Sequence, residues 1–333
     1  MELSEIEKRL QPLSNLDLLS LLERARQLTC QRFGRVIQMY APLYLSNECV
    51  DTCTYCGFSL ANKIPRKTLT PDEVIAEANH LLQQGFQHLL LVAGEHPLHV
   101  SPDYLEKIIQ KLKPRLASLS IEVAPFEEAV YRRLIQSGLD GIVIYQETYN
   151  QDRYATVHRA GPKKNYEKRI QAPMEAARAG IRLLGMGILL GLNDWREDAL
   201  SLIDHVRRVR KNFGAIDVTV SLPRLRPSAS DFPIPSPVSD RDFIQLVAIL
   251  RLALPEVGII LSTRESPALR DALIGLGITQ MSAGSRTEPG GYVHPEASLK
   301  QFEIEDNRSV AEITQTIARK GYEPVWKNWE GTL

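Results

Sequence analysis

The sequence predicts an α/β protein built mainly as a (β/α)8 barrel of the TIM type, with an N-terminal helical extension. Eight short, nearly continuous apolar segments recur along the chain, helical patterns separate nearly all of them, and no linker rich in Gly, Ser and Pro divides the 333 residues. Apolar strands that alternate with helices are typical of a parallel sheet covered by helices, and eight such units fit a closed barrel. An open doubly wound sheet is the alternative.

The elements follow in a regular order. The extension, residues 1–34, includes a helix predicted over residues 15–32, where clustered leucines give a wide apolar face. Thr70-Pro71-Asp72-Glu73 is a capping box with proline at the first helical position, so a helix should begin there, run to about Gln84 and end at Gly85. Residues 35–333 form the predicted barrel with a short C-terminal tail. Its eight strands are predicted at residues 37–45, 88–92, 118–123, 141–145, 182–190, 216–222, 258–262 and 279–282.

Composition excludes several classes of partner. Lys+Arg and Asp+Glu both total 40, so no global charge attracts nucleic acid or an acidic membrane surface. The apolar runs are far shorter than the roughly 20 residues that a membrane helix needs. With 44% hydrophobic residues, the chain can bury a large core. We therefore expect a soluble, cytoplasmic enzyme that binds neither nucleic acid nor membrane.

Three of the four cysteines form one short C-x3-C-x2-C loop: Cys49, Cys53 and Cys56. Thiolates at this spacing can hold a [4Fe-4S] cluster by three irons and leave the fourth open to a small molecule. A structural zinc site would need a fourth ligand, and disulfides would leave one thiol unpaired. Cys30 is not needed as a ligand, and His96 and His99 are expected in a surface loop because no further ligand cluster accompanies them. The pattern favours a reduced cluster site.

Polar or glycine residues follow the predicted strands at the carboxyl ends, where (β/α)8 barrels place their active sites. The candidates, in chain order, are Cys49, Gly94, Glu95, Glu147, Gly191, Arg224, Arg264, Ser282 and Ser285. Because the carboxyl ends of all eight strands meet at one face, we expect these residues to share a site.

The cysteine loop, with Tyr55 before its last cysteine, resembles the signature of radical S-adenosylmethionine (SAM) enzymes. Residues 45–67 resemble the 2-iminoacetate synthase family, the tyrosine lyases of bacterial thiamine thiazole biosynthesis, and the likeness runs over nearly the whole chain. Its other strings are LLLVAGEHP, IVIYQETY, SLPRLRP, LSTRESP, MSAGSRTEPGGY and PVWKNW. The resemblance implies a lyase that reduces SAM to methionine and 5′-deoxyadenosine and cleaves the Cα–Cβ bond of L-tyrosine, giving 2-iminoacetate (dehydroglycine) and 4-cresol.

The resemblance also implies roles in binding SAM. Ala93-Gly94-Glu95 is similar to the family's Gly-Gly-Glu segment, whose backbone contacts the SAM amino group, and Ala93 is a departure from it. Glu147 matches a carboxylate that contacts SAM, although an ion pair with a barrel arginine is an alternative. Arg169 matches an arginine that reaches the SAM carboxylate, although a solvated basic face around it is also possible. The cofactor-binding set is completed by Tyr55 and Gly191.

For the substrate, the resemblance implies that Arg264 binds the amino-acid carboxylate, with Ser282 as its helper. A salt bridge from Arg264 to adjacent Glu265 or to another barrel carboxylate is the alternative. Candidates for contact with the phenol are Tyr44, Arg224 and Arg226. The implied protein partners are thiazole synthase and an electron donor of the flavodoxin or ferredoxin type.

Other functions remain open at this point. The hydrogenase-maturation tyrosine lyase carries a second, C-terminal cluster, and this chain has no cysteine after Cys56. Tryptophan lyases and deazaflavin synthases share the cluster loop and differ in substrate. A non-catalytic iron-sulfur electron carrier or a zinc-stabilised scaffold would belong to a different class, and SAM cleavage would exclude both.

Overall fold

Nine parallel strands form one sheet in the computed structural model, which describes residues 1–326. The strands are β1 (Val36–Ser46), β2 (His88–Ala93), β3 (Ser118–Glu122), β4 (Gly141–Glu147), β5 (Leu183–Ile188), β6 (Asp217–Ser221), β7 (Gly258–Leu261), β8 (Gln280–Ser282) and β9 (Glu323–Val325). All eight predicted strands are present. The last residues of the PVWKNW string and the end of the predicted tail lie outside the described residues.

The first eight strands close into a barrel. Neighbours pair in chain order from β2 to β8, and β1 joins the two ends, with Ala41 opposite Leu89 on β2 and Gln38 opposite Gln280 on β8. The predicted (β/α)8 barrel is therefore confirmed, and the open-sheet alternative is wrong.

Helices surround the barrel. They are α1 (Leu3–Leu10), α2 (Asn15–Phe33), α3 (Pro71–Gln83), α4 (Pro102–Leu112), α5 (Glu128–Gln136), α6 (Gln151–Val157), α7 (Tyr166–Arg178), α8 (Trp195–Asn212), α9 (Asp240–Ala253), α10 (Pro267–Leu273) and α11 (Val310–Arg319). The capping box at α3 is present: the Thr70 hydroxyl accepts from the Glu73 amide, and the Glu73 carboxylate accepts from the Thr70 amide at 2.8 Å. Within the described residues, no helix is long and apolar enough to cross a membrane.

The two N-terminal helices lie against the outer helices of the barrel. Helix α1 contacts α8 and α9, and α2 packs along α9. The side-chain amide of Gln245 on α9 donates to the carbonyls of Arg9 and Gln11, which satisfies backbone acceptors at the end of α1. The division of the chain into an extension and a barrel domain stays a prediction.

Strand β9 was not predicted. It pairs with the first residues of β1, with Val36 opposite Glu323, and the Trp326 ring that follows packs edge-on against Phe86 at 5.2 Å. The strand has three residues, is incompletely buried and contains Pro324, so it carries no apolar run that sequence reasoning could detect.

Side chains alternate between the inside and the outside of the barrel, as in any strand. On β2, Leu89 and Leu91 belong to the large core beneath the helices, whereas Leu90 and Val92 join a smaller cluster with Tyr40 that points inward. The inner set includes tyrosines, serines and charged residues, and it lines the cavities described below.

Candidate active site

The three loop cysteines line one cavity of about 880 Å3 at the carboxyl ends of the strands, here called the cysteine cavity. Cys49 and Cys53 are buried, and Cys56 is partly buried. None of the described cysteines forms a disulfide, so the disulfide alternative is wrong. The three sulfur atoms therefore face one shared cavity.

Polar groups point toward these sulfur atoms. The Asp51 amide lies 3.4 Å from Cys49 Sγ, and the Gln301 side-chain amide lies 3.6 Å from Cys56 Sγ. Burial raises the pKa of the Cys49 thiol to about 12, so thiolates here require a strong positive charge beside them. Cluster iron supplies that charge, and N–H groups aimed at sulfur are typical of cluster sites. The donor set therefore fits a [4Fe-4S] cluster held by three cysteines.

Gly94 lets the end of β2 approach the cysteine loop. A Cβ atom at this position would overlap the Glu48 carbonyl oxygen and lie 3.2 Å from Cys49 Cβ. The Gly94 amide donates to the carbonyl of Ser46 at 3.0 Å, so the end of β2 is hydrogen-bonded to the end of β1, just before the cysteine loop. The glycine is required because a side chain would displace the loop that carries the first cysteine.

Glu95 and Arg169 meet in the cysteine cavity. One guanidinium N–H of Arg169 donates to Glu95 at 2.6 Å and another donates to the Tyr145 carbonyl at 2.8 Å. Arg169 on α7 is only 7% exposed, so the alternative of a solvated basic face does not hold for it. The two residues, 74 positions apart, thus occupy one wall of the cavity.

Glu147 ends β4 with a left-handed backbone, φ 69°, beside an irregularity in the pairing with β5. The side chain receives Lys163 Nζ at 2.8 Å, so its ion pair is with a lysine and not with an arginine. Burial opposes the charge on Glu147, but Lys163 and Arg169 outweigh it and hold the pKa of Glu147 below its usual value. Non-glycine residues in this conformation are strained and are held by their surroundings.

Lys163 was missed by sequence reasoning, which grouped it with the basic face around α7. It lies in a short 3-10 turn, Pro162–Lys164, with a side chain only 13% exposed, and it lines the cysteine cavity. The neighbouring Lys164 is exposed. The preceding Gly161, at φ 91°, packs against Asp51 so closely that a side chain would overlap it. In the sequence, the Gly161-Pro162 pair was the only signal of a tight turn before Lys163.

Tyr55 also lines the cysteine cavity. Its hydroxyl is 2.9 Å from His158 Nε2, while His158 Nδ1 is 2.9 Å from the Tyr154 carbonyl. A carbonyl only accepts, so Nδ1 carries the proton and Nε2 accepts from Tyr55. Burial lowers the pKa of His158 to about 3, which keeps the ring neutral. The arrangement fixes the Tyr55 ring at the cavity wall.

A second cavity of about 510 Å3, here called the inner cavity, extends into the barrel. It shares Glu122, Tyr145, Arg264 and Phe302 with the cysteine cavity. Its remaining wall includes Tyr40, Tyr44, Ser221, Ser262, Ser282 and Ser285. The structure thus brings Arg264 and Ser282 together at this cavity, and their role in binding the substrate stays a prediction.

The side chain of Arg264 is positioned by an aromatic ring and not by a carboxylate. Its guanidinium lies over the Phe302 ring at 3.4 Å, and within residues 1–326 it makes no salt bridge. Glu265, the neighbour considered as its partner, instead binds Arg224 and Arg226. The alternative of an Arg264–Glu265 salt bridge is therefore wrong.

Two other expected residues have different surroundings. Gly191 lies behind the cavity wall, facing Leu225 and Ile234, and its role with the cofactor stays a prediction. Ser282 accepts the Thr263 amide at 3.2 Å, which places its hydroxyl beside the residue before Arg264.

His96 and His99 are accompanied by a third possible ligand, Glu48, which corrects the expectation of none. However, the amides of Leu98 and His99 both point at His96 Nδ1 from 3.3 Å. That arrangement leaves the proton on Nε2 and makes His96 a poor metal ligand.

Family comparisons agree with this geometry. The radical SAM superfamily matches residues 43–203, and the biotin and thiamin synthesis associated domain matches residues 221–323. Among solved structures, the chain is similar to the [FeFe]-hydrogenase maturase HydG of Carboxydothermus hydrogenoformans, with 37% identity and a TM-score of 0.93 over 99% of this chain and 77% of HydG. Methylornithine synthase (PylB), at 21% identity and a TM-score of 0.79 over 97% of this chain and 94% of PylB, shares the fold. The fold and the cysteine site thus define a radical SAM enzyme.

Curated relatives narrow the class further. The 2-iminoacetate synthase of Escherichia coli K12 is 41% identical over 94% of this chain and 83% of the relative, and that of Salmonella typhimurium is 40% identical over 93% and 83%. The chain belongs to the 2-iminoacetate synthase family.

Proposed function

We propose that this enzyme cleaves the Cα–Cβ bond of L-tyrosine to 2-iminoacetate and 4-cresol, for the thiazole moiety of thiamine. The observation that carries the proposal is the uncompensated guanidinium of Arg264, in a cavity that adjoins the three cysteines. A planar guanidinium can bind the carboxylate of a free amino acid through two parallel hydrogen bonds. The high identity to 2-iminoacetate synthases supports the same substrate.

Cys49, Cys53 and Cys56 would hold a [4Fe-4S] cluster in the cysteine cavity, with SAM beside it. When bound, the cluster and SAM supply one-electron reductive cleavage of SAM and removal of a hydrogen atom from the substrate. The protein would bind and orient these groups: Gly94 would allow close backbone approach, while Glu95, Glu147 and the remaining donors of Arg169 would face the polar groups of SAM.

The inner cavity would hold the tyrosine side chain. Phe302 covers one face of the Arg264 guanidinium and leaves its edge for the substrate carboxylate, and Ser282 supports the same turn through Thr263. Burial within the barrel excludes water from the reacting bond and keeps the substrate next to the cysteine loop.

A radical SAM enzyme needs a reductant, and a protein of the flavodoxin or ferredoxin type would deliver the electron. Because 2-iminoacetate hydrolyses in water, the product would pass directly to thiazole synthase, the second protein partner in this proposal.

The test is an anaerobic assay of enzyme reconstituted with iron and sulfide, given dithionite, SAM and L-tyrosine. We expect 5′-deoxyadenosine, 4-cresol and glyoxylate, the hydrolysis product of 2-iminoacetate, each dependent on tyrosine. Cys53→Ala should abolish all three, whereas Cys30→Ala, which changes the cysteine outside the loop, should not. Deoxyadenosine that forms with tryptophan but not with tyrosine would refute the substrate, and no deoxyadenosine from a fully loaded cluster would favour a carrier or scaffold.

A further inference from the structure

Glu122, which sequence reasoning did not single out, occupies the junction of the two cavities. It is the last residue of β3, and its side chain lines both the cysteine cavity and the inner cavity, as does that of Arg264. Few residues share both walls, and these two are the charged ones. A group bound between them would therefore lie where substrate and SAM meet.

The other charged residues of the two cavities already have partners. Glu95 binds Arg169, Glu147 binds Lys163, and the Asp51 carboxylate accepts the Lys163 amide. The last member, Arg226, binds Glu265 and Glu305.

Among the charged residues within 1–326 that line the cavities, Asp51, Glu122 and Arg264 make no ion pair within 4.0 Å, and of these only Glu122 and Arg264 line both cavities. A carboxylate and a guanidinium that face one cavity but do not touch are complementary to a ligand with both charges. A free amino acid is such a ligand, since it carries an ammonium and a carboxylate on one carbon. Burial, and then the nearby charge of Glu147, raise the pKa of Glu122 to about 7, although the charge of Arg264 across the cavity opposes this rise.

We infer that Glu122 binds the α-ammonium group of the substrate while Arg264 binds its carboxylate. The inference rests on the proposed function, because it takes tyrosine as the amino acid. It places the substrate head group at the junction of the two cavities, next to the cysteine cavity.

The phenol then extends into the inner cavity. The wall there carries neutral hydroxyls, including Ser285 Oγ, which is buried with no hydrogen-bond partner within the described residues. A neutral phenol matches neutral hydroxyls, whereas a partly buried carboxylate such as that of Glu122 is better matched by an ammonium ion. This division of the site argues against Glu122 as the phenol's partner.

The test is binding without turnover. Reconstituted enzyme with SAM and no reductant is titrated calorimetrically with L-tyrosine, with 3-(4-hydroxyphenyl)propionate, which lacks the amino group, and with tyramine, which lacks the carboxylate. We expect Glu122→Gln to weaken tyrosine binding at least tenfold and to change the affinity for the propionate less than twofold. Arg264→Gln should weaken tyrosine and the propionate but spare tyramine.

Glu288→Gln is the matched control, because Glu288 is a buried carboxylate that lines neither cavity, and it should bind all three ligands like the parent enzyme. Iron content and circular dichroism check that each variant is folded and loaded, and Glu122→Asp, which keeps the charge, should retain part of the tyrosine affinity. An equal loss of tyrosine and propionate binding in Glu122→Gln, or no loss of either, would overturn the role of Glu122 alone. If the parent enzyme binds no tyrosine, the proposed function and this inference both fail.

Discussion

Replacement of Lys163 by methionine should destabilise the protein through Glu147. Methionine has a similar volume but no charge, so Glu147 loses its partner at 2.8 Å in surroundings where its side chain is only 9% exposed. Removal of one partner from a buried ion pair costs about 3 to 5 kcal/mol. Arg169 also holds down the pKa of Glu147, so we expect the lower end, about 3 kcal/mol.

The effect should depend on pH in a defined direction. In the parent protein the pKa of Glu147 is below its ordinary 4.5, so the ion pair contributes stability above that pH and loses it as the pH falls through the lowered pKa. Without Lys163, burial dominates and raises the pKa of Glu147. The variant should therefore lose most stability near pH 8 and progressively less toward pH 5.

Cluster-free protein, kept reduced, can be unfolded thermally at both pH values. With an unfolding entropy of about 2.1 cal/mol/K per residue, a loss of about 3 kcal/mol lowers Tm by about 4 °C. Lys164→Met is the matched control at an exposed neighbour and should leave Tm unchanged within about 1 °C. A Lys163→Met/Glu147→Gln double variant should recover most of the loss. A shift that is independent of pH, or that the double variant does not rescue, would refute this reasoning.

Three further predictions concern single side chains. Gly94→Ala should strain the contact with Glu48, destabilise the protein by about 1 to 3 kcal/mol and lower the iron and sulfide bound after reconstitution; full loading would contradict this. Tyr55→Phe should leave His158 Nε2 without its hydrogen-bond donor and lower the free energy of unfolding in urea by about 1 kcal/mol. An unchanged unfolding midpoint would show that this bond contributes nothing to stability. Because burial raises the pKa of Glu122 to about 7, its stabilising protonated form is lost as pH rises through 7; Glu122→Gln should raise Tm at pH 8.5 but not at pH 4.5.

Local patterns in the sequence predicted the barrel well, for a physical reason. Most of the eight barrel strands are buried on both faces, so they appear as nearly continuous apolar runs that differ from the amphipathic helices around them. The cysteine loop is equally local, since its three cysteines lie within eight residues, Cys49 to Cys56. Features that depend on a single short segment can therefore be predicted from that segment's own residues.

Pairings between distant residues were not accessible in this way. Lys163 and Lys164 are adjacent and chemically alike, yet one is buried beside Glu147 and the other is exposed. Similarly, Arg264 and Glu265 are neighbours in sequence, but only Glu265 finds charged partners, on the loop after β6. The closure of the barrel decides which charged side chain stays unpaired. The order of residues along the chain does not reveal this outcome.

Gln301 and Phe302 are consecutive, yet Gln301 contacts Cys56 and Phe302 covers Arg264. One peptide unit therefore links the cysteine loop to the inner cavity. An insertion or deletion in the preceding loop would move both contacts together. A change in loop length that alters the inner cavity would therefore also disturb the cysteine loop. We expect specificity in this family to diversify by point substitution on the barrel strands, with the spacing before Gln301 kept constant.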